Sequence, residues 1–162
     1  LCIYEVYLYL SGIGVSTAMG MNKGGTAEVD GIRVTMTDAK HSADIDVEGR
    51  VLPGGEAAGF VVTFENGYTV YHAGDTCVFG DMKLIQKLYR PRLVMLPIGG
   101  LYTMGPREAA LACRMLVPRR IVGMHYGTFP ALAGTPDELR KHLPGKMRPA
   151  VLELVPGRRV DL

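Results

Sequence analysis

Three short segments hold residues whose types could bind a metal ion. Asp75 lies in YHAGDT at 71–76, while His41 lies in KHS and His125 lies in MHY. Each of the three follows a predicted strand, and ligands in sheet-based enzymes collect just beyond strand ends. Imidazole and carboxylate groups bind divalent cations, with zinc favoured and manganese or iron as alternatives. The pattern therefore predicts that these side chains meet on one rim of the fold as a metal site.

Each of these side chains also has a simpler structural explanation. A lone loop histidine such as His41 or His125 is more often hydrogen-bonded than metal-bound, and Asp75 could stabilise a turn. Their repetition beyond three separate strands favours the metal site. His72 alternates onto the same strand face as Val70, so we interpret it as a supporting residue that holds Asp75 or a neighbouring ligand in place.

Composition narrows the classes of protein to which the chain can belong. The 162 residues are 48% hydrophobic and 21% charged, which predicts a single domain, 1–162, with a packed core. The net charge of +2 is spread over doublets such as Arg119 and Arg120, with no long basic stripe. Nucleic acid is therefore not an expected partner.

Cysteine usage and the N-terminal run bear on the compartment. Three cysteines without a CxxC pair predict neither a disulfide framework nor a thiolate zinc site, and they fit a reducing cytoplasm. The apolar opening LCIYEVYLYL is interrupted by Glu5 and is too short to span a bilayer, so no membrane partner is expected. No Gly-x-Ser-x-Gly motif occurs, so the sequence does not support covalent serine catalysis.

The elements that must position the candidate ligands follow from hydrophobic periodicity. Alternating or continuous apolar runs predict strands, and apolar residues three or four positions apart predict helices. In chain order we predict a buried helix over 1–10 (with a strand as the alternative), a strand from 31 toward 41, a loop over 42–56, strands over 60–65 and 68–72, a helix between 80 and 91, a strand over 93–96, a helix between 106 and 118, a strand over 121–124, a helix over 135–143 and a strand over 151–155. This order is typical of a mixed α/β fold in which helices cover a sheet.

Three local predictions can be checked residue by residue. The dipeptide Asn66-Gly67 between the hairpin strands predicts a type I′ turn, which needs two positive φ angles. In the helix between 80 and 91, Leu88 is predicted to face the core together with Ile85. The segment 135–138 predicts a capping box at the start of its helix.

Five segments in a fixed order carry a family resemblance. They read DGIRVTMTDAKHS, GGEAAGF, YHAGDTCVFGDMKLI, LPIGGLYTMGPREAA and MHYGTFP. Together they resemble the metal-dependent hydrolase branch of the metallo-β-lactamase-fold superfamily, related to the ascorbate-6-phosphate lactonases. The resemblance covers nearly the whole chain. It implies a four-layer αββα sandwich whose metal site lies at the edge where two sheets meet.

The resemblance also implies a role for each candidate residue. His41 is similar to the ligand that completes the first metal site, Asp75 to the carboxylate that bridges two metals, and His125 to the last histidine, on the second metal. Hydrolysis by a metal-bound hydroxide is implied, with Asp75 as the catalytic residue. The implied substrate is a small ester, lactone, amide or phosphoester.

Two departures from the family pattern change what is expected of this chain. The family's first metal motif, His-x-His-x-Asp-His, does not occur here and would lie upstream of LCIYEVYLYL. The resemblance therefore implies only the C-terminal, larger part of the sandwich, which should bind metal weakly. In the substrate-facing loop, Leu101 stands where relatives often have a polar residue.

The alternative interpretation belongs to another class of protein. The chain could be a non-catalytic fragment that folds or acts only with a complementing N-terminal segment or as a self-associated homodimer. A partial sandwich leaves apolar surface uncovered, and the segment 1–10 is the foremost candidate for that surface. A nuclease of the same fold is disfavoured by the lack of a basic stripe.

Overall fold

A seven-stranded mixed β-sheet is the main element of the computed structural model, which describes residues 1–160. In chain order the elements are β1 (Cys2–Ile3), α1 (Tyr4–Gly12), β2 (Gly20–Met21), β3 (Thr26–Val29), β4 (Ile32–Asp38), β5 (Ile45–Val47), β6 (Arg50–Leu52), β7 (Ala58–Thr63), β8 (Thr69–His72), α2 (Met82–Tyr89), β9 (Leu93–Pro97), α3 (Pro106–Leu116), β10 (Arg120–Met124), α4 (Pro136–His142), a 3₁₀ helix (Gly145–Ala150) and β11 (Val151–Leu152). Within residues 1–160, no helix is long and apolar enough to cross a membrane.

Strand direction determines which loops meet. The order in the large sheet is β11-β10-β9-β8-β7-β4-β3, and β1–β2 and β5–β6 form two small separate sheets. β7 is antiparallel to both β4 and β8, while β8, β9, β10 and β11 are mutually parallel neighbours. β4, β8, β9 and β10 consequently run in one direction. The loops that follow these four strands, 39–42, 73–77, 98–104 and 125–128, lie at one edge of the sheet, which we call the rim.

Helices α2, α3 and α4 pack on one face of the sheet. The register pairs Val61 with Tyr71, Tyr71 with Val94, and Val94 with Ile121, so these four side chains share a face. All four are buried and belong to one apolar cluster with residues of the three helices. Burying each such side chain is worth about 1.5–3 kcal/mol, so this face holds the core that supports the rim.

The opposite face of the sheet is less covered. Phe60, Val62, Val70 and Met95 on that face are only partly buried. α1 confirms the predicted N-terminal helix, but none of its residues is buried, so the predicted burial is wrong. Its apolar residues occur all round the helix rather than as one stripe, and no single face can bury them.

The loop predicted over 42–56 is wrong in part. This segment holds the short antiparallel ribbon of β5 and β6, in which Ile45 pairs with Leu52. The connection between them, Glu48-Gly49, has positive φ angles at both residues, 51° and 79°. Two positive φ angles match the right-handed twist of a tight hairpin, so this is where a two-residue turn of the primed type forms.

The hairpin of β7 and β8 is confirmed, but its predicted type I′ turn is wrong. Of the central dipeptide only Gly67 has a positive φ, 75°. Gly67 N donates to Phe64 O at 2.8 Å, and Phe64 N donates to Tyr68 O at 3.0 Å. The loop thus has three residues and ends on a left-handed glycine. The side-chain oxygen of Asn66 accepts a hydrogen bond from Tyr68 N at 2.9 Å, which favours this longer loop.

Helices α2, α3 and α4 form as predicted, but the burial of one α2 residue and the length of the last strand differ from the prediction. The capping box of α4 is confirmed: Thr135 Oγ1 accepts from Glu138 N, and Glu138 Oε2 accepts from Thr135 N, both at 3.2 Å. Leu88, in the last turn of α2, is 68% exposed, so its predicted burial is wrong, whereas Ile85 is buried as expected. The final strand was predicted over 151–155 but ends at Leu152.

Candidate metal site at the rim

Asp75 and His125 face one another at the rim. Asp75 Oδ2 is 3.6 Å from His125 Nε2, which is beyond hydrogen-bond range. Both side chains are partly exposed, 47% for Asp75 and 30% for His125, so an ion could reach them from solvent. Two donor atoms that share one tetrahedral zinc ion are roughly 3.4 Å apart, given zinc–ligand bonds near 2.1 Å. The spacing of this pair therefore fits a shared divalent cation.

The other ring nitrogen of His125 is also informative. His125 Nδ1 is buried and has no hydrogen-bond partner among the described residues. A metal-binding histidine usually donates this second N–H to an oxygen that fixes the ring. No such oxygen contacts Nδ1 among the described residues. Because Nδ1 is buried, the ring nitrogen that faces Asp75, Nε2, is the one we assign to the metal.

His41 lies at the same edge but is engaged with the backbone. Its Nδ1 is 2.9 Å from Ser42 O, and its Nε2 is 3.0 Å from Tyr102 O. A neutral imidazole has one N–H, which it can donate to only one of these two carbonyls. Within residues 1–160 no group of three or more His, Cys, Asp or Glu side chains could hold an ion. The structure thus brings Asp75 and His125 together and does not group His41 with them.

Thr76 ties the His41 loop to the Asp75 loop. Its side chain is fully buried, and its hydroxyl accepts a hydrogen bond from Lys40 N at 2.9 Å and donates to Cys77 O at 2.8 Å. Cys77 N donates in turn to Lys40 O at 3.2 Å. These bonds join residues adjacent to both candidate ligands, so they fix the separation of the two loops.

His72 supports the turn that leads to Asp75. His72 Nδ1 accepts a hydrogen bond from Gly74 N at 3.1 Å. Gly74 has a φ of 67°, and a Cβ there would lie 2.4 Å from Ala58 O, so only glycine fits this turn. The His72 side chain therefore contacts the backbone of the turn that leads to Asp75.

Left-handed backbone marks two of the rim loops. His125 has a φ of 54° and Leu101 a φ of 50°. Non-glycine residues in this region cost of order 1–2 kcal/mol and concentrate at functional sites. A Cβ on Gly99 would lie 2.2 Å from His125 O, so close packing of the two loops holds His125 in this conformation.

A charged group adjoins His41. Asp38 forms ion pairs with Lys23 and Lys40, and Lys23 also pairs with Glu56 at 2.8 Å. Desolvation favours a higher pKa for Asp38, but hydrogen bonds from both lysines outweigh it and lower that pKa below its usual value. A cleft of about 330 Å³ lies between this group and His41. The charges in the lining of this cleft balance, because it holds two cations, Lys23 and Lys40, and two anions, Asp38 and Glu56.

Two residues that fix the rim loops do not stand out in the sequence as site residues. Thr76 and Gly99 carry no chemistry of their own, yet they fix the loops of His41 and His125. The signal available for Gly99 was the Gly-Gly pair that directly follows an apolar strand, since such a pair indicates a close backbone approach. No local pattern indicates that Tyr102 supplies the carbonyl partner of His41 from 61 residues away.

Known proteins resemble this chain in sequence. Residues 4–126 match the family model described as the beta-lactamase superfamily domain. A UPF0173 metal-dependent hydrolase of Methanosarcina barkeri is 48% identical over 160 residues, covering 99% of this chain and 69% of the relative. One from Rubrobacter xylanophilus is 54% identical over 140 residues, covering 86% of this chain and 58% of the relative.

Solved structures show the same fold. A metallo hydrolase from the hyperthermophilic archaeon Ignicoccus hospitalis is 35% identical with a TM-score of 0.85, covering 98% of this chain and 66% of that one. The isothiocyanate hydrolase from Delia radicum gut bacteria is 22% identical with a TM-score of 0.70, covering 93% of this chain and 61% of that one, and supports the fold alone. The predicted metallo-β-lactamase-type fold is confirmed, although the chain spans only about two thirds of these proteins. The chain belongs to the UPF0173 metal-dependent hydrolases of the beta-lactamase superfamily.

Proposed function

We propose that this protein hydrolyses a small-molecule ester, lactone, amide or phosphoester with a divalent metal held at the rim. The observation that carries the proposal is the pair of Asp75 and His125, whose facing atoms are 3.6 Å apart where parallel strands end. Membership of a family of metal-dependent hydrolases supports the same reaction class.

Asp75, His125 and His41 would have different roles in binding the metal. A divalent metal, with zinc as first choice and manganese or iron as alternatives, supplies Lewis-acid polarisation and lowers the pKa of water to about 7. Asp75 would supply the negative charge that attracts the cation, and its two oxygens could serve two ions. His125 would offer Nε2 as a neutral donor. His41 would join them only after releasing one of its two carbonyl contacts.

A metal site at the rim needs more ligands than Asp75 and His125. Catalytic zinc usually has three protein ligands, and the described residues bring only two together. The match to this chain covers 69% of the Methanosarcina barkeri relative, so about a third of that protein lies outside the match. We therefore propose that further ligands come from a complementing N-terminal segment carrying the His-x-His-x-Asp-His motif, and that this chain alone binds metal weakly.

We also propose that the protein acts in a reducing cytoplasm, which its three free cysteines support.

A second candidate function follows from the same observation. With only two grouped ligands, the chain could be a non-catalytic fragment that acts through association. Reaction assays separate the two candidates, because only a hydrolase gains turnover when the missing ligands are supplied.

The decisive assay supplies those ligands in trans. The chain is mixed with the N-terminal third of the Methanosarcina barkeri relative as a separate polypeptide, with zinc or manganese, and tested on lactone, ester, amide and phosphoester substrates. We expect metal-dependent turnover of one substrate class only in the mixture, and its loss on adding a chelator. Equal activity with chelator, or no turnover with any metal and substrate, would contradict the hydrolase proposal.

We also propose that the isolated chain self-associates. Tyr4 and Leu8 of α1 are 46% and 52% exposed, and Phe60 and Val62 on the less covered sheet face are only partly buried. Exposed apolar patches of more than a few hundred Å² usually mark an interface. Size-exclusion chromatography with light scattering should therefore show a dimer or larger species. The double variant Tyr4→Ser, Leu8→Ser should shift it toward monomer, whereas a wild-type monomer that binds no hydrophobic dye would contradict this expectation.

A further inference from the structure

A basic cleft of about 580 Å³ opens at the edge of the sheet opposite the rim. Its lining residues lie where the parallel strands begin. Tyr68 precedes β8, Arg92 precedes β9, Arg119 and Arg120 lie at the start of β10, and Lys146 lies in the 3₁₀ helix before β11. The entry ends of four parallel neighbouring strands therefore bring four cationic side chains to one place.

This cleft is separate from the metal site. Arg92 and Ile98 are six residue steps apart in extended chain, which places the two edges roughly 20 Å apart along β9. None of the cleft residues contacts Asp75, His125 or His41 in the hydrogen bonds and ion pairs of the described residues. The cleft is consequently a different site from the one proposed for hydrolysis.

The cleft carries positive charge without internal compensation. No aspartate or glutamate among residues 1–160 lines it. Within residues 1–160, none of the four cleft cations forms an ion pair with a carboxylate. Like charges held together raise the local potential and attract multivalent anions.

Backbone contacts hold the arginines at a fixed spacing. Arg92 O accepts hydrogen bonds from both Arg119 N and Arg120 N, each at 2.9 Å. The Arg92 guanidinium lies 5.8 Å from the centre of the Tyr68 ring, within the range of a cation–π contact. Arg120 Nη1 donates to Arg119 O at 3.3 Å. The side chains of Arg92 and Arg120 are thus partly ordered before any ligand binds, which lowers the entropic cost of binding.

A neighbouring cleft extends the same basic surface. It measures about 510 Å³, shares Arg92 and Arg119 with the first cleft, and adds Arg90 after α2. Within the described part of the chain, this second cleft has no carboxylate in its lining either. A ligand with two anionic groups could therefore place one in each cleft across the shared arginines.

We propose that these two clefts form a binding site for a small molecule that carries two or more linked phosphate groups, such as a nucleoside diphosphate. Arginine matches phosphate oxygens with paired N–H donors, so three arginines around one cleft favour phosphate over a single carboxylate. A volume of about 580 Å³ is within the usual range for small-molecule sites. The cluster is a local patch on a chain with a net charge of only +2, which favours a small anion over a nucleic acid.

The test titrates inorganic pyrophosphate and ADP into the metal-free chain by isothermal titration calorimetry, with a chelator present so that no metal bridges the ligand. We expect saturable binding of both, weakening several-fold when salt is raised from about 0.05 to 0.2 M, since added ions screen the attraction. Arg92→Gln and the double variant Arg119→Gln, Arg120→Gln should each weaken binding by about tenfold or more. Arg92→Lys should restore only part of it, because lysine keeps the charge but not the paired donors.

Lys83→Gln is the matched control, because Lys83 is an exposed cation in the first turn of α2 and lies outside both clefts. Its pyrophosphate affinity should equal that of wild type, and all variants should keep the wild-type melting temperature. Absence of saturable binding, or equal losses in Lys83→Gln and Arg92→Gln, would overturn the proposal. If the chain bound a single-stranded RNA oligonucleotide tightly but did not bind pyrophosphate, the surface would be assigned to nucleic acid instead.

Discussion

Replacing Asp75 by Asn should lower zinc affinity by about 100-fold, because the neutral amide keeps the shape of the carboxylate but loses its charge and second anionic oxygen. Even the loss of groups that only support a ligand costs 10–100-fold in metal affinity, so loss of the ligand itself should reach the upper end of that range. Any hydrolysis gained with the complementing segment should fall to the level seen with chelator. Isothermal titration calorimetry with zinc measures the first effect and the substrate assay the second.

The control for Asp75→Asn is Glu28→Gln, which removes one negative charge from an exposed position on the edge strand β3. This variant should bind zinc as wild type does. Thermal melts without metal should agree for both variants, since Asp75 is 47% exposed and contributes little to packing. Unchanged zinc affinity in Asp75→Asn would remove Asp75 from the site.

Gly99→Ala should weaken zinc binding by at least about tenfold and lower the free energy of unfolding by about 1–3 kcal/mol, as overpacking of a closed site does. The added Cβ would lie 2.2 Å from His125 O and 3.1 Å from Leu132 Cβ. The first of these neighbours is backbone and cannot rotate away. His125 must therefore move, and its ring would lose its position opposite Asp75.

Gly80→Ala is the matched control for this substitution. Gly80 has no positive φ and has no atom within 4 Å of an added Cβ, so the variant should be close to wild type in stability and zinc affinity. Chemical denaturation gives the first quantity and calorimetry the second. Wild-type zinc affinity in a folded Gly99→Ala protein would show that the position of His125 is irrelevant to metal binding.

The location of the rim could be predicted because apolar strands end abruptly at polar residues. The continuous run of β10 ends at Met124, so His125 was correctly placed just beyond it. The alternation of β4 likewise placed His41 beyond a strand end. The face of α3 that packs on the core could be predicted from the helical spacing of its apolar residues, and Ala109 and Cys113 are buried as expected.

Contacts between distant segments could not be predicted in the same way. The Asp75–His125 spacing depends on strand order and direction, which no local pattern specifies. His41 is hydrogen-bonded to a carbonyl of the 98–104 loop, and only the folded chain shows that this partner competes with metal binding. The turn after Phe64 differs from the predicted two-residue type I′ turn, because the Asn66 side chain accepts a hydrogen bond from the backbone and favours a longer loop.

Anomalous X-ray scattering at the zinc absorption edge, from crystals of the zinc-saturated protein, would locate the bound ion and so test whether Asp75 and His125 share it. We expect an anomalous peak between the Asp75 carboxylate and His125 Nε2. A peak only at another residue, such as Cys77 or His142, with none beside Asp75 would contradict it.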